Sequence, residues 1–288
     1  MYNLLDKTEN QYRNWENIYP YIVQIGTGGT GGYIVQHLAQ MLGTLNCPHS
    51  YVLVDPDVIE NKNLKNQLFL EEEIGEKKAE VLAERYATAY NLNIATYTDK
   101  YVETVSEITN LFSTEYLYTG NGALHYDVRL VPILIGSVDN VYTRQQLHKA
   151  FLELPSCIYI DSGNESVSVP QDWQNRPLNE WSDEELSLYR ESGWTGQIVC
   201  GIKMGKKIIQ PPLCEVYPDV LATTDTIKPS EVSCSDLTAS DPQRLIVNKM
   251  AAHAVMMYMS EILEDRCIEN HKTVFHAKKG YMRTAAFE

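Results

Sequence analysis

The chain has 288 residues, 44% of them hydrophobic, and a formal net charge of −14. That length and composition bury a full core, as one large α/β domain or two small ones, and the acidic balance opposes a polyphosphate surface, so nucleic acid is excluded as the expected partner. No apolar run reaches the length of a membrane span and the first residues lack signal-peptide order, which makes the cytoplasm the expected location. The six cysteines, Cys47, Cys157, Cys200, Cys214, Cys234 and Cys267, lie far apart in the sequence and read as reduced thiols rather than a disulfide framework.

In chain order, a polar N-terminal segment with the texture of a short helix leads into a buried strand at 21–25 and a helix at 30–42. A second buried strand starts at Tyr51. Gly75 precedes a helix in which Ala79, Leu82, Tyr86 and Ala89 recur at helical spacing, and the run from Asn93 reads as a strand. Further strands start at Val131 and Ser156, with a helix between them. This alternation predicts a doubly wound, Rossmann-like, mostly parallel α/β sheet. The texture changes after 165. The segment 168–194 is a polar, Trp- and Pro-rich surface excursion with a short helix at 183–189, and a hairpin turning at Met204 and Gly205 follows. Asp241 and Pro242 mark the start of a long buried helix, and a terminal hairpin turns around Lys279 and Gly280. The expected organisation is a nucleotide-binding half at 1–165 and an antiparallel, crossover half at 166–288 that carries the partner surface.

Gly26, Gly28 and Gly31 fit G-x-G-x-x-G between a strand and a helix, where missing side chains let backbone N–H groups and the helix dipole approach a phosphate. Asp55 closes the second strand, where a carboxylate can accept from ribose hydroxyls. Both features suit a nicotinamide enzyme and an ATP enzyme alike. The stretch from Asp57 to Lys78 favours ATP, because Asn63, Gln67 and Lys78 are donors placed to reach past an adenosine toward a triphosphate. Asp139, beyond the carboxyl end of the strand that starts at Val131, has the position and hard oxygen chemistry to hold Mg²⁺, or else to cap the next helix.

These elements resemble the ThiF/MoeB adenylation family, which includes the activating domains of ubiquitin-activating enzymes. The matching residues are Gly26-Thr27-Gly28-Gly29-Thr30-Gly31, Asp55-Pro56-Asp57, Asn63-Leu64-Lys65-Asn66-Gln67, Gly75-Glu76-Lys77-Lys78, and Asp139-Asn140 with Arg144. They occupy the first half of the chain in the family's order and spacing. The resemblance implies that Asp55 holds the ribose, that Lys78 and Asn63 contact phosphates, and that Asp139 helps hold Mg²⁺. It also implies ATP-dependent activation of a C-terminal carboxylate on a small ubiquitin-like or sulfur-carrier protein, by a homodimer. By length, and by the absence of C-x-x-C pairs, the chain looks nearer to stand-alone bacterial ThiF-type proteins such as those of plasmid PRTRC systems. No zinc is expected.

Two departures qualify the match. Asn66 stands where the family carries an arginine, and the adjacent Lys65 offers only a point charge. The family's acyl-accepting cysteine has no fixed equivalent: Cys234, in the loop ahead of the last long helix, is the first choice and Cys214 the second, while Cys157 and Cys200 fall in buried strands. Two alternatives stay open at this point: an NAD-dependent oxidoreductase on the same fold, and a degenerate ATP-binding partner protein in which Asn66 marks lost turnover.

Overall fold

A computed structural model describes residues 1–6, 15–45, 47–114, 117, 127–223, 227–231 and 242–286. In chain order the strands are β1 (Tyr2–Asn3), β2 (Asn17–Ile25), β3 (Ser50–Val54), β4 (Ile94–Tyr97), β5 (Val128–Gly136), β6 (Ser156–Asn164), β7 (Thr195–Met204), β8 (Lys207–Gln210), β9 (Cys267–Ile268), β10 (Asn270–His276) and β11 (Tyr281–Ala286). The helices are α1 (Gly29–Leu45), α2 (Lys78–Tyr90), α3 (Val105–Asn110), α4 (Val141–Glu153), α5 (Asp183–Glu191), the short α6 (Leu213–Val216) and α7 (Asp219–Ala222), and α8 (Leu245–Ser260).

Nine strands form one sheet along the path β11-β10-β7-β6-β5-β2-β3-β4, with β8 sharing an edge of β7 with β10. Strands β4, β3, β2, β5 and β6 are parallel, and β7, β10 and β11 extend the sheet antiparallel. The doubly wound fold and its antiparallel extension are therefore as expected. Alternation along β2 explains the two layers: Ile18 and Ile22 face the cluster that holds Leu38 of α1, Leu82 of α2 and Val255 of α8. Tyr21, Val23 and Ile25 face the opposite cluster, with Ile108 of α3 and Phe151 of α4. The helices change face between β2 and β5. That is the switch point, where the carboxyl ends of open parallel sheets bind ligands.

Three boundaries differ from expectation. Strand β2 begins at Asn17 rather than at 21, because its first residues pair with β5 alone; Pro20 lies one residue before the β3 ladder starts at Tyr21, so its missing N–H breaks no bond there. Of the expected N-terminal helix, 7–14 lie outside the described residues. Helix α8 begins at Leu245, three residues beyond Pro242. Arg244 is held extended instead, its guanidinium donating to the carbonyls of Tyr189 and Ser192. Asp241 lies outside the described residues. The expected hairpins are present, with Gly205 and Gly280 at positive φ in their turns, and α5 covers the short helix of the Trp-rich excursion.

Candidate nucleotide site

The loop between β2 and α1 needs its glycines for different reasons. Gly26 has φ of +92°, and a Cβ there would stand 2.6 Å from the Ser137 carbonyl oxygen, so Gly26 allows the two strands of the switch point to close on one another. At Gly31 a Cβ would meet the Gly26 carbonyl oxygen at 2.2 Å, so this glycine lets α1 pack against the loop. The side chain of Gln24, fully buried in β2, donates to the carbonyls of Gly26 at 3.1 Å and Gly31 at 2.9 Å, and Tyr51 donates to its Oε1 at 2.6 Å. The loop is thus fixed from below. Its upper side presents the N-terminus of a 17-residue helix, with the dipole and free N–H groups that suit an anion.

Asp55 follows β3 directly and is buried. Its Oδ2 accepts from the Thr27 N–H and Oγ1, both at 2.8 Å, and its Oδ1 accepts from the Asp57 N–H at 3.0 Å. A carboxylate offers roughly four lone-pair sites, so little acceptor capacity is left for ribose. Burial pushes the Asp55 carboxyl above its usual range despite Lys78 nearby. Lys78 opens α2 with its backbone N–H on the Asp57 carbonyl, which returns its side chain to the same turn: Nζ lies 2.9 Å from Asp57 Oδ2. Burial opposes the ammonium, but Asp55, Asp57 and the more distant Asp139 outweigh it and hold Lys78 above the ordinary lysine range. Tyr101 donates to the second oxygen of Asp57. For Asp57, burial is outweighed by Lys78 and Tyr101, and its carboxyl lies low. Lys78 therefore remains an ammonium bonded to Asp57 and within the field of Asp55 and Asp139.

Asn63 and Gln67 occupy the turn after β3. The Asn63 side-chain oxygen accepts from the Glu60 N–H at 2.8 Å, which leaves its NH₂ end to donate. Gln67 reaches the glycine loop, where its Nε2 lies 3.8 Å from the place of a Cβ on Gly28; its buried Oε1 has no protein partner among the described residues. Asn66 ends the same 3₁₀ turn. Asp139 is exposed and does not cap α4. Asn140 is the cap instead, accepting from the Thr143 N–H at 2.7 Å. Arg144 faces inward, donating to the carbonyls of Val138 and Ser162 at 2.9 Å each, with Nε 3.6 Å from buried Asp161. It braces the segment that carries Asp139 against β6. Lys78, Asp55 and Asp57 are thus gathered, with Asp139 near enough to act on the Lys78 charge, whereas Asn140 and Arg144 are engaged in folding contacts.

Among the described residues no group of three or more His, Cys, Asp or Glu side chains gathers as a metal site. The exposed Asp139, two residues beyond the Ser137 that bonds the glycine loop, nevertheless fits magnesium, which keeps most of its waters and takes one or two carboxylates together with phosphates. The cysteines follow their burial. Cys157 and Cys214 are pushed up to about 12, and Cys200 higher still, chiefly by burial. Cys234 lies outside the described residues.

Several residues of this region are not read from the sequence motifs. Tyr101 and Gln24 are two, Thr27 lies inside the glycine motif with no role read there, and Gln24 carried a signal as the single polar residue of the apolar run 21–25, apart from the tyrosine that opens it. Asn164, at the end of β6, and Asn248, in the first turn of α8, are two more. Asn164 Nδ2 donates to Thr30 Oγ1 at 2.9 Å and Asn248 Oδ1 at 3.0 Å, while Thr30 donates to Asn248 Oδ1 at 3.2 Å. The second half of the chain thereby grips the first turn of α1.

The profile of the ThiF family matches residues 4–159, and the chain belongs to this family. A comparison with curated proteins gives no match. Among solved structures, Escherichia coli MccB with succinimide aligns at TM-score 0.56 and 13% identity, covering 92% of this chain and 63% of MccB. MccB with AMPCPP and MccA aligns at TM-score 0.55 and 14% identity, over 92% and 63%. PaaA aligns at TM-score 0.54 and 13% identity, over 93% and 72%. The chain thus shares their fold and spans about 63% of the length of MccB.

Proposed function

We propose that this protein uses ATP to adenylate the C-terminal carboxylate of a peptide or small protein. The observation that carries the reading is Lys78: a lysine at a helix start, tied to Asp57 through backbone and side chain and kept an ammonium by the nearby carboxylates, at the switch point of a ThiF-family sheet. An oxidoreductase working through NAD gives this lysine no task. Support also comes from the solved MccB complexes, which hold ATP in one case and MccA in another within the shared fold.

In the reaction a carboxylate oxygen attacks the α-phosphorus of ATP. The bond from that phosphorus to the bridging oxygen breaks, pyrophosphate leaves, and an acyl adenylate remains. The chain's residues chiefly position and neutralise. The N-terminus of α1 faces the phosphates, Lys78 offers its remaining donors to them, and the NH₂ ends of Asn63 and Gln67 add neutral donors. Asp55 meets the ribose with the acceptor capacity that Thr27 and the Asp57 N–H leave free. Mg²⁺, held by Asp139, would neutralise charge on the phosphates and on the departing pyrophosphate. A small ubiquitin-like or sulfur-carrier protein is the substrate class we favour, a homodimer the assembly, and Cys234 the acceptor if a thioester follows.

The test is exchange of labelled pyrophosphate into ATP, with pools of carboxyl-ended and C-terminally amidated peptides. Exchange that depends on the free carboxylate supports the reading; equal exchange with amidated peptides contradicts it.

A further inference from the structure

Two clefts open along the excursion between β6 and β7, on the same edge of the sheet as the glycine loop. One, of about 440 Å³, is walled by Val167, Trp194, Arg244, Leu245 and Ile246. The other, of about 460 Å³, is walled by Trp173, Leu178 and Trp181, and the two share Tyr189 and Pro242. The walls are apolar and aromatic, and Leu245 and Ile246 are 39% and 48% exposed. The protein contains 38 acidic residues, yet among the described residues neither lining includes a carboxylate, while three cations, Arg176, Arg244 and Lys249, belong to them.

The state of those cations separates them. Arg176 is paired with Asp172 and Glu185. Among the described residues Arg244 has only carbonyl acceptors, at Tyr189 and Ser192, and it stacks 3.9 Å from the centroid of the Trp194 ring. Lys249 is exposed and lies 5.3 Å from the centroid of the Tyr33 ring on α1. Neither Arg244 nor Lys249 has an ion-pair partner among the described residues. In an acidic protein, two cations without an ion-pair partner among the described residues, beside an open aromatic groove, are complementary to an acidic, apolar ligand. The groove also has a direction. Arg244 to Ile246 enter α8, and Asn248, within one helical turn of about 5.4 Å, bonds Thr30 in the first turn of α1.

We infer that the two clefts form one docking groove for an extended segment of the carboxylate substrate, carrying apolar and acidic side chains and lying upstream of the activated end. This rests on the adenylation reading above. The aromatic walls bury its apolar side chains, and Arg244 and Lys249 select for acidic ones and against basic ones.

The test uses the full chain and short synthetic peptides with free carboxyl ends, in acidic-apolar, basic-apolar and acidic-polar series, read by tryptophan fluorescence and calorimetry. The variants are Lys249→Glu and Ile246→Asp, both at exposed positions, and the thermal shift with ATP and Mg²⁺ is recorded for each. Wild type is expected to bind the acidic-apolar series. Ile246→Asp should weaken it about tenfold, and Lys249→Glu should do the same while favouring the basic-apolar series. Both variants should keep the ATP response, which shows that fold and nucleotide loop are intact. Indifference of wild type to peptide charge, affinity unchanged by both substitutions, or no binding of the acidic-apolar series overturns the groove. So does loss of a dimer in Ile246→Asp, which would make a second copy of the chain the occupant. A wild-type protein without any ATP response fails the nucleotide reading instead, and so is told apart from failure of the groove.

Discussion

Lys78 and Asp57 are bonded twice, once through the backbone at 3.0 Å and once through the side chains at 2.9 Å, and Tyr101 holds the other carboxylate oxygen. The backbone bond sets where α2 begins, and the side-chain bond sets where its first ammonium points. Lys78→Met keeps the first and removes the second. Loss of a charged donor at a phosphate site is worth about 10²- to 10³-fold in rate, so pyrophosphate exchange should fall by that much. Stability should fall by only about 1 kcal/mol, since the Asp57 side chain is 36% exposed and partly hydrated. Exchange rates and urea denaturation of the same preparation check both.

The same pair defines a pH window. The folded carboxyl of Asp57 lies below its unfolded value of about 3.9, so the stability it contributes is present above that pH and lost as pH falls through the folded pKa. Lys78 is raised above about 10.4, so its contribution is complete below that value and lost as pH rises through the folded pKa. The midpoint difference between wild type and Asp57→Asn should therefore be widest between these limits and narrow on both sides. A difference that does not change from neutral pH down to about 3 would contradict the pairing.

Gly26→Ala combines two penalties, a positive φ that side chains rarely adopt and a Cβ pressed on the Ser137 carbonyl. Backbone strain of about 1–3 kcal/mol and overpacking of similar size together give a loss on the order of 3 kcal/mol. Gly205→Ala provides the contrast: it also has positive φ, but open space surrounds it, and only the strain should appear. Chemical denaturation of the two variants measures the difference.

Asp139 and Asn140 are neighbours with separable tasks. Asn140→Ala removes the cap of α4 and should cost about 1 kcal/mol of stability. Asp139 is exposed and caps nothing, so Asp139→Ala should stay within about 0.5 kcal/mol of wild type while exchange is abolished. Undiminished exchange by Asp139→Ala would remove it from the magnesium role.

What the sequence makes legible here is local. The glycines, Asp55 and Lys78 lie at strand and helix ends whose positions follow from short periodic runs, and their spacing carries the family likeness. The contacts that complete the site are long-range. Tyr101 meets Asp57 across 44 positions, and Asn248 meets Thr30 across 218, and no periodicity announces either. Arg144 shows a subtler limit. Its place in the motif suggests a ligand contact, and the structure turns the guanidinium toward buried Asp161 on the strand that starts at Ser156, a pairing that no local pattern announces. The start of α8 was displaced in the same way, by the aromatic and carbonyl partners that hold Arg244 extended.

The most direct measurement is thermal unfolding of the purified protein alone, with ATP and Mg²⁺, and with NAD. A ligand at about a hundred times its dissociation constant adds roughly 2.7 kcal/mol, and each kcal/mol moves the midpoint of a chain this size by about 2–4 °C. A rise with ATP and Mg²⁺, absent with NAD and reduced in Lys78→Met, is the predicted result. A rise with NAD alone would contradict the account and assign the glycine loop to a dinucleotide.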